Sequence, residues 1–256
     1  MKVLVYGAAG SQQFPVITAL LKKGATVVAT THQSQNIEML TKAGADVVLA
    51  DMADKQRLEE ISTGIDAISF LVPFFLANPL DGLTYAKNAI DAAVKNSVKL
   101  LVWNTSGFIL PVKIGNPSID IRIDIAEYLK ESGLPHIIIQ PSVYAENLLG
   151  PWTAPFVKNE SIVTYPTPEE MPIGWIATQD VAALVATAIY SPHLAGQSFQ
   201  VSGIENLSGN QLAQKFSIAL QKEIHYQQMP PKEFGKILDS LFGEGAGKGA
   251  ETMYQE

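Results

Sequence analysis

Two glycines, Gly7 and Gly10, stand in "VLVYGAAGSQQFPVITALLKKG" (Val3 to Gly24), between an apolar run and a segment of helical period. Gly7 lets the chain turn sharply off a strand. Gly10 lets the backbone come close to a bound group at the start of a helix, where unpaired N–H groups and the helix dipole favour an anion. A strand, a glycine turn and a helix in this order suit the pyrophosphate of a dinucleotide. Gln13 occupies the place of the third glycine that ordinarily lets helix and strand pack closely. Its side chain takes packing space and leaves the phosphate contact open.

The next strand bears on which dinucleotide. An NAD site usually carries Asp or Glu about 20 residues beyond the turn, for the ribose hydroxyls. Here the strand ends "VVATTHQSQ", with no acid until Glu38. His32 stands in that place and, with the hydroxyls of Thr30, Thr31 and Ser34, is a candidate for a 2′-phosphate, since histidine is partly charged near neutral pH. The plain alternative is an exposed loop residue. The expectation is NADP(H), with NAD(H) as the other candidate. In "LADMAD", Asp51 is a candidate acceptor for the adenine amino group with Met52 packed on the ring; as an alternative, Asp51 caps the following helix.

Other chemistries are excluded or disfavoured. The chain has no cysteine, so disulfides, thiolate metal sites and cysteine nucleophiles are ruled out. Its four histidines (His32, His136, His193, His225) form no H-x-x-x-H pair, and no metal site is expected. A formal charge of -7, with no basic cluster larger than Lys22-Lys23, argues against a nucleic-acid partner. The most apolar stretch, "AISFLVPFFLA" (Ala67 to Ala77), is broken by Pro73 and too short to span a bilayer. The first apolar run stops at Tyr6, short of a signal-peptide core. No membrane association and a cytoplasmic location are expected.

These residues need elements to hold them. Apolar, β-branched runs at Val3 to Tyr6, Thr26 to Thr30, Ala45 to Ala50, Ala67 to Val72, Leu100 to Thr105, His136 to Gln140 and Ser198 to Val201 alternate with helical patterns. That alternation predicts βαβ units and an α/β fold with a parallel sheet covered on both faces. After Gln140 the pattern fades into the proline- and aromatic-rich "PSVYAENLLGPWTAPFVKNESIVTYPTPEEMPIGW", read as a smaller lobe over the C-terminal edge of the sheet. The expected division is residues 1–143 for the nucleotide domain and 144–256 for the substrate lobe, with 177–203 returning to the first. The tail "GEGAGKGAETMYQE" reads as a flexible end.

The order of these pieces, with "GADVVLADMAD", "GIDAISFLVPF", "EYLKESGLPHIIIQPSVYAENLL" and "WIATQDVAALVATAI", resembles the NmrA-like branch of the atypical short-chain dehydrogenases/reductases over nearly the whole chain. The resemblance implies a Rossmann-type doubly wound sheet with a small C-terminal substrate-binding lobe and an NADP-type cofactor along the strand ends. It implies that Gly7, Ala9, Gly10, Ser11 and Gln12 line the pyrophosphate, and that His32 replaces an arginine at the 2′-phosphate. Leu71, Val72 and Pro73 would flank the inner ribose and nicotinamide, with Asn104 and Thr105 completing the cofactor site. Arg122 falls where many relatives have lysine, and Ser118 where tyrosine-dependent members have their acid. The chain also stops earlier than many relatives, so that a final helix is expected to be missing or displaced.

What remains is chemistry without that acid. In "NPSIDIRIDIAEYL", Asn116 as cap and Pro117 at the first position start a helix that puts Ser118 and Arg122 on one face. Neither gives up a proton near pH 7. Arg122 is therefore assigned to positioning cofactor or substrate. Tyr144 is the best remaining phenol, with pocket wall as its alternative role, and Tyr128 points elsewhere. Phe74, Phe75, Tyr144, Trp152 and Trp175 are candidates for a flat apolar pocket. A quinone-like or conjugated acceptor gives an anion that water can protonate, so hydride transfer survives the missing acid. The leading expectation is an NADP(H)-dependent oxidoreductase acting on such a small molecule. The alternative is a catalytically silent redox sensor answering to a protein partner. An epimerase suffers most from the missing tyrosine.

Overall fold

The computed structural model describes residues 1–73, 76 and 78–255. Seven parallel strands form the main sheet: β1 (Lys2–Val5), β2 (Thr26–Thr31), β3 (Asp46–Leu49), β4 (Ala67–Phe70), β5 (Leu100–Asn104), β6 (His136–Pro141) and, after a short β7 (Ile162–Tyr165) outside it, β8 (Ser198–Val201). Their order is β3-β2-β1-β4-β5-β6-β8, the doubly wound α/β arrangement expected from the alternating pattern. The helices between them are α1 (Phe14–Lys22), α2 (Ile37–Lys42), α3 (Lys55–Ile61), α4 (Pro79–Lys95), α5 (Pro117–Glu131), α6 (Ala154–Glu160) and α7 (Thr178–Ile189).

Strand alternation builds two cores. Val3 and Val5 face one side, in a cluster with Ile17 and Leu20 of α1 and Val181 and Val185 of α7. Leu4 and Tyr6 face the other, with Ile90 of α4 and Ile125 and Leu129 of α5. Successive residues are therefore apolar because both faces are covered. The chain leaves β1 for β2 on one side and returns to β4 on the other, so the strand order reverses between β1 and β4. Such a switch point opens a crevice at the carboxyl ends of the strands.

A second layer of structure follows: β9 (His225–Gln228) pairs in parallel with β7, and α8 (Gly209–Leu220), α9 (Pro231–Phe242) and α10 (Lys248–Gln255) pack around them. This pair was not legible in the irregular segment after Gln140. α7 packs on α1 and β8 on β6, so this stretch belongs physically to the main sheet.

The tail corrects one expectation. Read as flexible because of its glycines, it forms α10, with Ala246 and Ala250 buried. The glycines serve close approach: a Cβ on Gly247 would overlap the Gly235 carbonyl, and one on Gly249 would overlap the Ser118 hydroxyl.

Burial pushes the Tyr6 phenol from its ordinary 10.0 up to about 12. Below pH 10 both folded and unfolded chains keep this proton. Between about 10 and 12 the unfolded chain loses it while the folded chain holds it, so stability falls with rising pH by about 3 kcal/mol from Tyr6 alone. Denaturant melts over that range should show the fall, and Tyr6→Phe should recover part of it. An unchanged midpoint through this window would overturn the assignment.

Candidate cofactor and acceptor site

The glycine turn lies where the crevice opens. Gly7 takes φ +63°, a left-handed backbone that glycine adopts without penalty. The Gly10 N–H donates to the Gly7 carbonyl at 2.9 Å, and a Cβ on Gly10 would sit 3.3 Å from that same oxygen. Gly10 and Ser11 are exposed, Ala9 packs partly on the core, and the α1 N-terminus carries no side-chain cap. The N–H groups of Gly10, Gln13, Phe14 and Val16 bond to carbonyls within the turn and Pro15 has none, which leaves those of Ser11 and Gln12, just ahead of the positive end of α1, as the donors that fit a pyrophosphate. Gln13, only 1% exposed, accepts a 2.8 Å bond from the Ser69 hydroxyl of β4. It fills the space between α1 and β4 that a glycine would leave.

At the end of β5 a polar network forms. Asn104 Nδ2 donates to Gln12 Oε1 at 3.3 Å and lies 3.0 Å from the Tyr144 hydroxyl, while the Ser106 N–H donates to Asn104 Oδ1 at 2.9 Å. Gln12 Nε2 in turn donates to Ser106 Oγ at 2.7 Å. Ser106 holds φ +54°, rare for a residue with a Cβ. Reading the sequence alone missed Ser106; the Ser-Gly dipeptide at 106–107 was the available turn signal.

Arg122 anchors this loop. Its guanidinium, on a residue only 8% exposed, donates to the carbonyls of Thr105 (3.0 Å), Ser106 (3.2 Å) and Phe108 (3.4 Å). Gly107 lies flat against it, since a Cβ there would come 3.0 Å from a guanidinium nitrogen. Burial pulls the Arg122 pKa down to about 10, so it stays charged at neutral pH. These bonds make Arg122 a clamp on the β5 loop.

Among the described residues no good proton donor stands nearby. Burial pushes the Tyr144 phenol, 6% exposed, well above its ordinary range. Ser118 follows the Asn116 cap, whose Oδ1 accepts from the Ser118 N–H at 3.2 Å, and its side chain packs under Gly249 of α10. Asn116 Nδ2 also donates to the Gly249 carbonyl at 2.9 Å, so the tail helix covers this face of α5. Tyr128 donates at 2.6 Å to Asp91 on the outer surface of α4, away from the strand ends.

His32 is exposed directly after β2. The neighbouring hydroxyls differ from expectation: Thr30 Oγ1 donates to the Val5 carbonyl and Thr31 Oγ1 accepts from the Gln33 N–H. Buried strand threonines satisfy the backbone, which leaves His32 and Ser34 facing solvent. Asp51 accepts from the Ala53 N–H at 2.8 Å, whereas the cap of α3 is Asp54, which accepts from the Arg57 N–H. The capping alternative for Asp51 is therefore corrected by three residues. Met52 packs partly on the core, and its carbonyl accepts from Asn88.

Leu71 and Pro73 follow β4, with Pro73 exposed, but Val72 is buried in the core against α4. Of the pocket aromatics, Trp152 meets Phe234 at 5.2 Å and Trp175 meets Tyr165 at 4.9 Å between ring centroids. Both belong to the aromatic core around β7, because T-shaped packing there gives the small lobe its only large apolar cluster among the described residues. Phe74 and Phe75 lie outside the described residues. Among the described residues no three His, Asp or Glu side chains converge as a metal site, and no helix is long and apolar enough to cross a membrane.

The chain is 26% identical over 214 residues to a photosystem II assembly factor of Synechocystis, covering 79% of this chain and 63% of that protein. It thus spans less than two thirds of that relative's length. It is 25% identical over 233 residues to an NAD(P)H azoreductase of Xenophilus azovorans, covering 88% of this chain and 76% of the relative. Its fold matches the crystal structure of the NADPH-dependent quinone oxidoreductase of Escherichia coli complexed with NADPH, with a TM-score of 0.82 at 21% identity, covering 99% and 87% of the two chains. All 256 residues match the NmrA-like family, and the chain belongs to it.

Proposed function

We propose that this protein binds NADP(H) and reduces a quinone-like or similarly conjugated small molecule. The observation that carries the reading is the pairing of an exposed Gly10–Ser11 turn, which no side chain caps, with a strand-end site where burial holds the Tyr144 phenol protonated. Gly7, Gly10 and Ser11 hold the pyrophosphate, and His32 meets the 2′-phosphate. A bound nicotinamide supplies a hydride. The acceptor takes two electrons with that hydrogen, and water gives the second hydrogen as a proton. Conjugation spreads the intermediate negative charge, so the protein's part is to hold the two partners in register. The names of the azoreductase and the quinone oxidoreductase describe NAD(P)H-linked reduction and support this reading.

Loss of NADPH absorbance across a panel of quinones and simple ketones tests it. Quinones should be consumed, and simple ketones should react at least about a hundredfold more slowly, the contribution a general acid would otherwise make. NADPH binding with no acceptor reduced would put a nucleotide sensor with a protein partner in its place. Cofactor preference has its own test. His32→Ala should weaken NADPH binding several-fold and leave NADH binding within about twofold of the parent. An unchanged NADPH preference in the variant would reassign the 2′-phosphate contact.

A further inference from the structure

The carboxamide of Gln12 does something that a turn residue lining a pyrophosphate need not do. From the β1–α1 turn it reaches Ser106 and Asn104 at the end of β5. In the sheet, β4 lies between β1 and β5, so the side chain crosses the carboxyl end of β4. The receiving loop is held in an unfavourable shape: Ser106 is left-handed, and three carbonyls at 105–108 are fastened to the buried Arg122. A non-glycine residue stays in that region only where its surroundings over-determine it, a condition that collects at functional sites. Here the anchored loop presents one hydroxyl, and Gln12 is its partner. Through Asn104 the same bridge reaches the Tyr144 phenol.

We propose that Gln12 and Ser106 act together as positioning residues for the nicotinamide half of the dinucleotide. The inference rests on the cofactor reading above. A dinucleotide whose pyrophosphate met the Gly7–Gly10 turn would lie across the switch point, one half over β2 and β3 and the other over β4 and β5. With His32 assigned to the adenosine half, the nicotinamide half would fall on the side that the bridge spans. Its amide and hydroxyl offer both donors and acceptors to a ribose and carboxamide, and they are already oriented before the nucleotide arrives.

Calorimetry on the full chain with two probes separates this from a structural role. For Gln12→Leu, NADPH affinity should fall about tenfold, which is ~1.4 kcal/mol, while 2′,5′-ADP, which lacks the nicotinamide half, should bind within about twofold of the parent. Ser106→Ala should give the same split, and the double variant should lose little more than either single one, as expected of a coupled pair. NADH and AMP serve as a second probe pair if the parent favours NAD. Equal losses for whole and half nucleotide would reduce the bridge to scaffolding and overturn the inference, as would full NADPH affinity in both variants. If the parent chain binds none of the four probes, the cofactor reading itself falls and takes the inference with it.

Discussion

Gly10→Leu should abolish nicotinamide dinucleotide binding while the chain stays folded. Gly10 is exposed and is not among the residues with positive φ, so the substitution adds no left-handed strain. Its Cβ would approach the Gly7 carbonyl at 3.3 Å, a contact the exposed turn can relieve by a small shift. The larger effect comes from branched bulk on the turn ahead of α1, where the pyrophosphate must come within hydrogen-bond reach of the Ser11 and Gln12 N–H groups. An affinity loss of at least about a hundredfold, or ~2.7 kcal/mol, is expected. Thermal stability should change by no more than about 1 kcal/mol. Gly10→Ala should fall between. The check is the fluorescence of bound NADPH, and parent-like binding by Gly10→Leu would place the nucleotide elsewhere.

Arg122→Met should destabilise the protein by about 2–4 kcal/mol. The methionine restores much of the volume, but the carbonyls of Thr105, Ser106 and Phe108 lose a charged donor, and Ser106 at φ +54° is left to its bonds with Gln12 and Asn104. Arg122→Lys should recover little. A single ammonium at the end of a flexible stem cannot span three carbonyls as a planar fork does. Urea melts give the stability change, and NADPH affinity should drop in the same variants because the loop that receives Gln12 is released. A neutral Arg122→Met would mean that the loop keeps its shape through other contacts. Ser118→Ala, by contrast, should leave cofactor affinity unchanged, since that side chain packs under Gly249.

The main sheet was legible because each of its strands is a short apolar run set off by a helix of different period. Ser198–Val201 was placed to the residue, and the other six within two residues at either end. The glycine turn was legible for the same reason: its chemistry is local. What failed was everything that depends on distant partners. The run at 162–165 pairs with 225–228, sixty residues on, and neither is long enough to announce itself. The tail glycines looked like freedom because their contacts, with Gly235 and Ser118, are invisible along the chain.

Arg122 shows the same division in one residue. Its place on the face of α5 followed from the Asn116 cap and helical spacing. Its partners did not, because three main-chain carbonyls on another loop carry no side-chain signature. Ser106 was passed over although its hydroxyl lies at the centre of the strand-end network. A polar residue before glycine marks a turn and says nothing of what the turn holds.

The central claim is that the Gly7–Gly10 turn holds a nicotinamide dinucleotide, and its most direct test is titration of NADPH and NADH into the full chain by calorimetry. Binding of one equivalent of at least one of them, tighter for NADPH and lost in Gly10→Leu, is the predicted result. Absence of heat for both nucleotides, from a chain shown to be folded by its melting transition, would contradict the account.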